Sequence, residues 1–355
     1  MKTQKAIPIV TLLLLTVLLQ VLARCVPGFG EWYAVSIYPI LVGTLGRFYS
    51  IFPFSVTEFI IYLLVLLFVL GAIVGIISGK KKFVMKWLYG VSFTISLLLF
   101  LYTIGCGINY YRTPFSELQE YEISDYSTEE LKELCLSLTV QVNEAAKLIS
   151  LDENGNMSLD GIDVIIEARN NMESLGEDYP SLAGYYPTPK YIQNSELLSV
   201  QQLMGIYLPF TIEATVNKNM PVYDIPSTLC HELSHLKGFM REDEANFIAY
   251  LACMNSDIPE FRYSGALLAY EYSINALYQS GDLECYNEVL RQLCDTACNE
   301  LVNNYAYWAR YDTMIAEVSA EINDTYLKAN SQENGVASYG RMVDLLLADY
   351  YGAGK

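Results

Sequence analysis

Three uncharged apolar stretches, at residues 6–23, 59–77 and 87–108, constrain the chain before anything else does. As helices rising 1.5 Å per residue, each is long enough to cross a hydrocarbon layer of about 30 Å. Backbone N–H and C=O groups cannot stay unpaired in hydrocarbon, so each stretch is expected to be a transmembrane helix. The first also sits where a signal peptide would. It is longer than an ordinary signal core, and it ends Val21-Leu22-Ala23-Arg24-Cys25 without a small-x-small site. An uncleaved anchor is therefore expected.

Charge sets the topology. Residues 1–111 hold eight Lys/Arg and only two acids, Glu31 and Glu58, in a chain that totals 22 Lys/Arg, 40 Asp/Glu and a net charge of −18. Lys80, Lys81, Lys82 and Lys86 fill the short loop between the second and third stretches, and Lys2 and Lys5 precede the first. The positive-inside rule puts both groups in the cytoplasm, and three crossings then deliver everything after about Tyr110 to the other face. The expected organisation is a multi-pass protein of the cell membrane, with a membrane region at 1–111 and an extracytoplasmic domain at 112–355. The lipid bilayer is an expected partner. Nucleic acid is not, because phosphate recognition requires clustered bases. Residues 31–55, with Trp32, Tyr33, Tyr38, Phe48 and Phe52 among their aromatics, suit a membrane interface or a packed loop equally.

Beyond the membrane region the pattern is helical. Ser127-Thr128-Glu129-Glu130 has the form of a capping box, and Leu131, Leu134, Leu138, Val142 and Ala145 follow at helical spacing. Further helices are expected at 163–175, 242–253, 264–279, 284–307 and 311–328, with a last one after a polar start near 335–341. Residues 205–216 read as one strand, demoted to a sheet edge by Pro209. The fold class is accordingly mainly α: three N-terminal transmembrane helices, then an α-rich domain with a small sheet. Six of the eight cysteines fall in that domain, and an exported domain allows fifteen pairings among six without favouring one.

The chain has only two histidines, and both lie in His231-Glu232-Leu233-Ser234-His235. Residues four apart share a helix face, so both imidazoles can meet one tetrahedral metal while Glu232 addresses the open position. The arrangement points to a zinc hydrolase with Glu232 as general base. Catalytic zinc takes a third protein ligand, and with the histidines used up the nearest downstream candidates are Glu242 and Glu244. Leu229, Leu233 and Leu236 would anchor the helix, and Gly238 would let the chain turn after it. An oxyanion donor must be a Tyr, an Arg or a backbone N–H; Tyr339 and Arg341, at the polar start of the last helix, are the side-chain candidates.

The run Glu242-x-x-Ala245-Asn246 resembles the Glu-x-x-Ala-Asp/Asn segment of ImmA/IrrE-like peptidases and of CAAX-processing membrane peptidases. That resemblance implies Glu242 as the third ligand and Asn246, one turn on, as a partner for an imidazole. Three spans, an aromatic first outer loop, the His-Glu-x-x-His-x-x-Gly run and the Ser338-Tyr339-Gly340-Arg341 segment also look like a bacterial membrane-protein family catalogued as a domain of unknown function. It implies a zincin-like, peptidase-like domain and names no substrate. The expectation is a membrane-anchored zinc metallopeptidase acting on a peptide or protein. The competing expectation is a non-catalytic receptor or assembly protein that keeps a structural metal.

Overall fold

A computed structural model describes residues 2–332 and 335–352, with side chains from residue 6 onward; the Lys2 and Lys5 side chains lie outside the described residues. The chain is mainly helical. Three helices are long and apolar enough to cross a membrane, Ala6–Cys25, Val56–Ser78 and Lys81–Tyr111. The first two turn large apolar side chains outward along their length, with Leu14 at 65% and Ile76 at 81% exposure, a surface suited to lipid rather than water.

The third of these helices continues into the buried core. After Tyr102 it loosens into a π-helical turn, Thr103–Gly107, and a 3-10 turn, Asn109–Tyr111, whose Cys106, Ile108 and Tyr110 are buried. These residues share one apolar core with Leu229, Leu233 and Phe247 from the C-terminal part of the chain. Tyr33 and Tyr38, from the segment between the first two spans, join the same core, whereas Trp32 and Phe48 remain exposed. That segment is thus a packed connection on one side and an apolar surface on the other.

Three strands form the sheet: β1 (Lys190–Tyr191), β2 (Gly205–Leu208) and β3 (Glu213–Val216), in the order β1-β3-β2. β3 is central, parallel to β1 and antiparallel to β2. The single strand expected over 205–216 is therefore a hairpin. Pro209 falls in its connecting loop, and Ile212 adopts φ +58, a left-handed conformation that a β-branched residue rarely takes. β2, like β1, is an edge strand. The sheet is tied to the second span through carboxylates: Glu213 accepts the N–H groups of Val56 (3.1 Å) and Thr57 (3.0 Å) and pairs with Lys190, while Glu58 accepts those of Gln193 (2.9 Å) and Asn194 (3.0 Å). Two of the N–H groups that the start of a helix leaves without intrahelical partners are satisfied in this way.

The capping box forms as the sequence implies, with Ser127 Oγ accepting from Glu130 N at 3.2 Å and Glu130 Oε2 from Ser127 N at 2.7 Å. It starts the helix Thr128–Ala146, which packs along the helix Pro259–Gln279. The helix expected over 284–307 is broken into Leu283–Leu290 and Asp295–Ala309. Asn143, on Thr128–Ala146, is the physical reason: its Oδ1 accepts Cys294 N–H (2.8 Å) and its Nδ2 donates to the Gln292 carbonyl (2.7 Å), taking backbone groups that a continuous helix would use. A helix Met314–Ala329 and a 3-10 segment Gly335–Arg341 lead to the last helix, Met342–Gly352. All eight cysteines are free thiols.

Candidate metal centre

The motif lies on the helix Asp224–His235, which is buried almost throughout; Leu229, Leu233 and Leu236 are 0%, 0% and 1% exposed. Its end is a Schellman turn: Phe239 N–H donates to the Ser234 carbonyl (3.3 Å) and Gly238 N–H to that of His235 (2.9 Å), with Gly238 at φ +86. Only glycine enters that conformation without strain. The turn does more than end a helix. It carries the Phe239 carbonyl back to His235 Nδ1, at 2.7 Å.

After the turn the helix Glu242–Met254 begins with Glu242, Asp243 and Glu244, acids that favour a helix N-terminus. Glu242 and Asn246 lie one turn apart on the face toward the motif helix. Asn246 Oδ1 meets His231 Nδ1 at 2.8 Å, and Glu242 Oε2 lies 3.2 Å from His231 Nε2 and 3.7 Å from His235 Nε2. Glu244 turns elsewhere, accepting the Phe115 N–H at 2.8 Å. Of the two carboxylates left open by the sequence, the structure brings only Glu242 to the histidines.

These contacts test whether a metal fits. A carbonyl can only accept, so His235 Nδ1 carries its ring proton and Nε2 holds a lone pair; with Asn246 Oδ1 as acceptor the same holds for His231. The two Nε2 atoms nevertheless face each other at 3.1 Å, beside a carboxylate oxygen. With both rings neutral, three acceptors converge with no donor between them, and a cation joins them: either a proton on His231 Nε2 held by Glu242 or a metal ion. Tetrahedral zinc with metal–nitrogen bonds of about 2.05 Å would set its ligands about 3.3 Å apart, and the observed separations bracket that value. Among the described residues His231, His235 and Glu242 are the one group of this kind.

Electrostatics follow the geometry. Burial works against a charged Glu242, but His231, His235 and the Tyr339 hydroxyl outweigh it and hold the carboxyl below its ordinary range. Burial likewise opposes the His231 imidazolium, and Glu242 reverses this, raising His231 above the usual imidazole value; His235, buried with less compensation, falls to about 4. Glu232 is pushed up to about 8, by burial first and by Glu242 in addition, although His231 pulls it down. Its Oε2 is buried with no hydrogen-bond partner among the described residues. On the other side it packs on the edge strand, where a Cβ at Gly205 would lie 2.5 Å from Oε1.

The two candidate oxyanion donors part company. Tyr339 is largely enclosed near Glu242 and Glu232, and its hydroxyl interacts with Asn323. Arg341 is exposed and pairs with Asp344 at 3.5 Å, turned toward solvent rather than into the cluster. Sequence reasoning also passed over Tyr38, whose hydroxyl donates to the His235 carbonyl (3.3 Å) and meets Tyr207 Oη (2.8 Å), and Gln332, whose Oε1 accepts Glu242 N–H (3.3 Å). Among 29 tyrosines nothing local marks Tyr38 out.

A family model described as Protein of unknown function (DUF3810) matches residues 33–347. The chain belongs to this family. The match takes in the second and third spans, the sheet, the motif helix and Tyr339, so the DUF3810 unit contains membrane helices and acceptor cluster together. No curated protein and no solved structure matches this DUF3810 chain.

Proposed function

We propose that this DUF3810 protein is a membrane-anchored zinc metallopeptidase with a zincin-like domain on the extracytoplasmic face. The observation that carries the reading is the convergence of His231 Nε2, His235 Nε2 and Glu242 Oε2, with both ring tautomers set by Asn246 and the Phe239 carbonyl. His231, His235 and Glu242 would hold the metal. A zinc ion bound there supplies Lewis acidity, lowering the pKa of water at the open fourth position to about 7.

The chain's own groups do the remaining work. Glu232 has a buried carboxylate oxygen without a hydrogen-bond partner among the described residues, and a nearby dication would draw its pKa down from about 8 so that it is ionised at neutral pH. It takes the attacking water's proton and returns it to the leaving amine as the peptide C–N bond breaks. Tyr339, which lies near Glu242 and Glu232, would donate a hydrogen bond to the developing oxyanion. β2 pairs on one side only, so its free backbone groups can take an extended peptide as a further strand beside Glu232. A purely structural zinc has four protein ligands and no use for such a base, which favours the enzyme over the receptor reading.

Metal analysis of the purified protein tests the ligand set. One zinc per chain is expected, with loss of the metal in His235→Ala and Glu242→Gln and retention in Glu244→Gln. Stoichiometric zinc in His235→Ala would place the metal elsewhere. Reporter fusions after residue 111 test the orientation.

A further inference from the structure

At the end of the motif helix, lined in part by Leu236 and Lys237, lies a cavity of about 220 Å³, room for more than one water molecule. Val35 and Tyr38, from the connection between the first two spans, form one wall; Ser181 and Tyr185 form another; Arg112 and Lys237 supply charge. Lys237 Nζ is held by the carbonyls of Ala183 (2.8 Å) and Tyr185 (3.3 Å) above the Tyr186 ring, and no carboxylate among the described residues pairs with it. Arg47 stacks on Tyr185 at 4.2 Å and is likewise without an ion pair among the described residues. The Ser181 hydroxyl is a buried oxygen with no hydrogen-bond partner among the described residues. Lys237, the Arg112 guanidinium, which also pairs with Glu31 at 3.5 Å, and an idle hydroxyl thus line one space, with Arg47 beside its Tyr185 wall, in a chain of net charge −18.

We propose that this cavity binds the phosphate of an anionic phospholipid headgroup. Its position favours that source over a soluble anion. The connection that lines it joins two spans and is thereby held at the bilayer surface, and it exposes Val35 (58%), Ile40 (58%) and Ile51 (74%), side chains suited to the acyl boundary. A free anion must approach a strongly acidic protein, whereas a headgroup is already concentrated at the rim. The bound phosphate accepts from Lys237 Nζ and Ser181 Oγ beside the Arg112 guanidinium, and Arg47, stacked on the Tyr185 wall, adds positive charge next to it. The cavity adjoins the turn that ends the motif helix, where Arg112 Nη1 donates to the Lys237 carbonyl at 2.7 Å.

Titration of the full-length protein in neutral detergent with a short-chain phosphatidylglycerol below its critical micelle concentration, followed by native mass spectrometry, tests the proposal independently of metal or activity. Saturable binding of one lipid is expected, weakened at least tenfold in Lys237→Met and measurably in Arg47→Gln and Ser181→Ala, with sodium phosphate and the zwitterionic phosphatidylcholine analogue binding far less. Arg47 is exposed, so its variant reports even where Lys237→Met fails to fold. Unchanged affinity in both Arg47→Gln and Ser181→Ala overturns the site, and equal affinity for sodium phosphate overturns its assignment to lipid.

Discussion

Replacing Asn246 by Ala removes the acceptor that fixes the His231 ring. The contact is 2.8 Å long and joins two enclosed side chains, His231 being 13% exposed, so water replaces the lost oxygen poorly. Leaving a buried N–H without its partner costs about 1–3 kcal/mol. At about 1.4 kcal/mol per factor of ten, that corresponds to a zinc dissociation constant weakened roughly 10–100-fold, the range usual for lost outer-shell partners. Competition against a chromogenic chelator at fixed pH measures it. Asn246→Asp keeps an acceptor and is expected to bind at least as tightly as the native protein. Affinity should also rise with pH, because Glu242 holds the His231 proton above the ordinary imidazole range and the metal must displace it. An Asn246→Ala dissociation constant within twofold of the native value, with an unchanged Tm, would refute the tautomer argument.

Gly205→Ala places a methyl group 2.5 Å from Glu232 Oε1. A catalytic group displaced by about 1 Å loses on the order of 100-fold in rate, so kcat on a cleavable peptide should collapse while zinc stoichiometry stays at one; unaltered kcat would mean Glu232 does not work from this position. Glu271 is pushed up to about 7 by burial, although the Tyr223 hydroxyl donates to it at 3.0 Å. Its folded value lies above an unfolded one of about 4.3, so its contribution to stability is complete below that pH and is lost as pH rises through 7. Thermal melts of Glu271→Gln should therefore fall less between pH 5 and pH 8 than those of the native protein, and parallel curves would contradict the burial argument.

What the sequence discloses is what local rules govern. The capping box at Ser127, the glycine turn at Gly238 and the four-residue histidine spacing each rest on backbone geometry within one turn, and each is found in the structure. Asn246 was legible through a short pattern that places it one turn after Glu242. The misreadings come from partners distant in sequence. Nothing in Pro209-Phe210-Thr211-Ile212 carries the Gly or Asn that marks a hairpin, and Ile212 is forced to φ +58 by a fold that buries it to 1% exposure. The helix break after Leu290 depends on Asn143, which is almost 150 residues upstream. Arg341, by contrast, pairs locally, with Asp344 three residues on, and faces solvent.

Glu232→Gln tests the central claim most directly. Gln retains the size of the side chain and its packing on β2, but it cannot accept a proton from water. The purified variant should hold one zinc per chain, melt at the native temperature and show no detectable cleavage of a peptide that the native protein hydrolyses. A Glu232→Gln protein with full zinc and native turnover would contradict the account, because the cluster would then bind metal without Glu232 serving as the base.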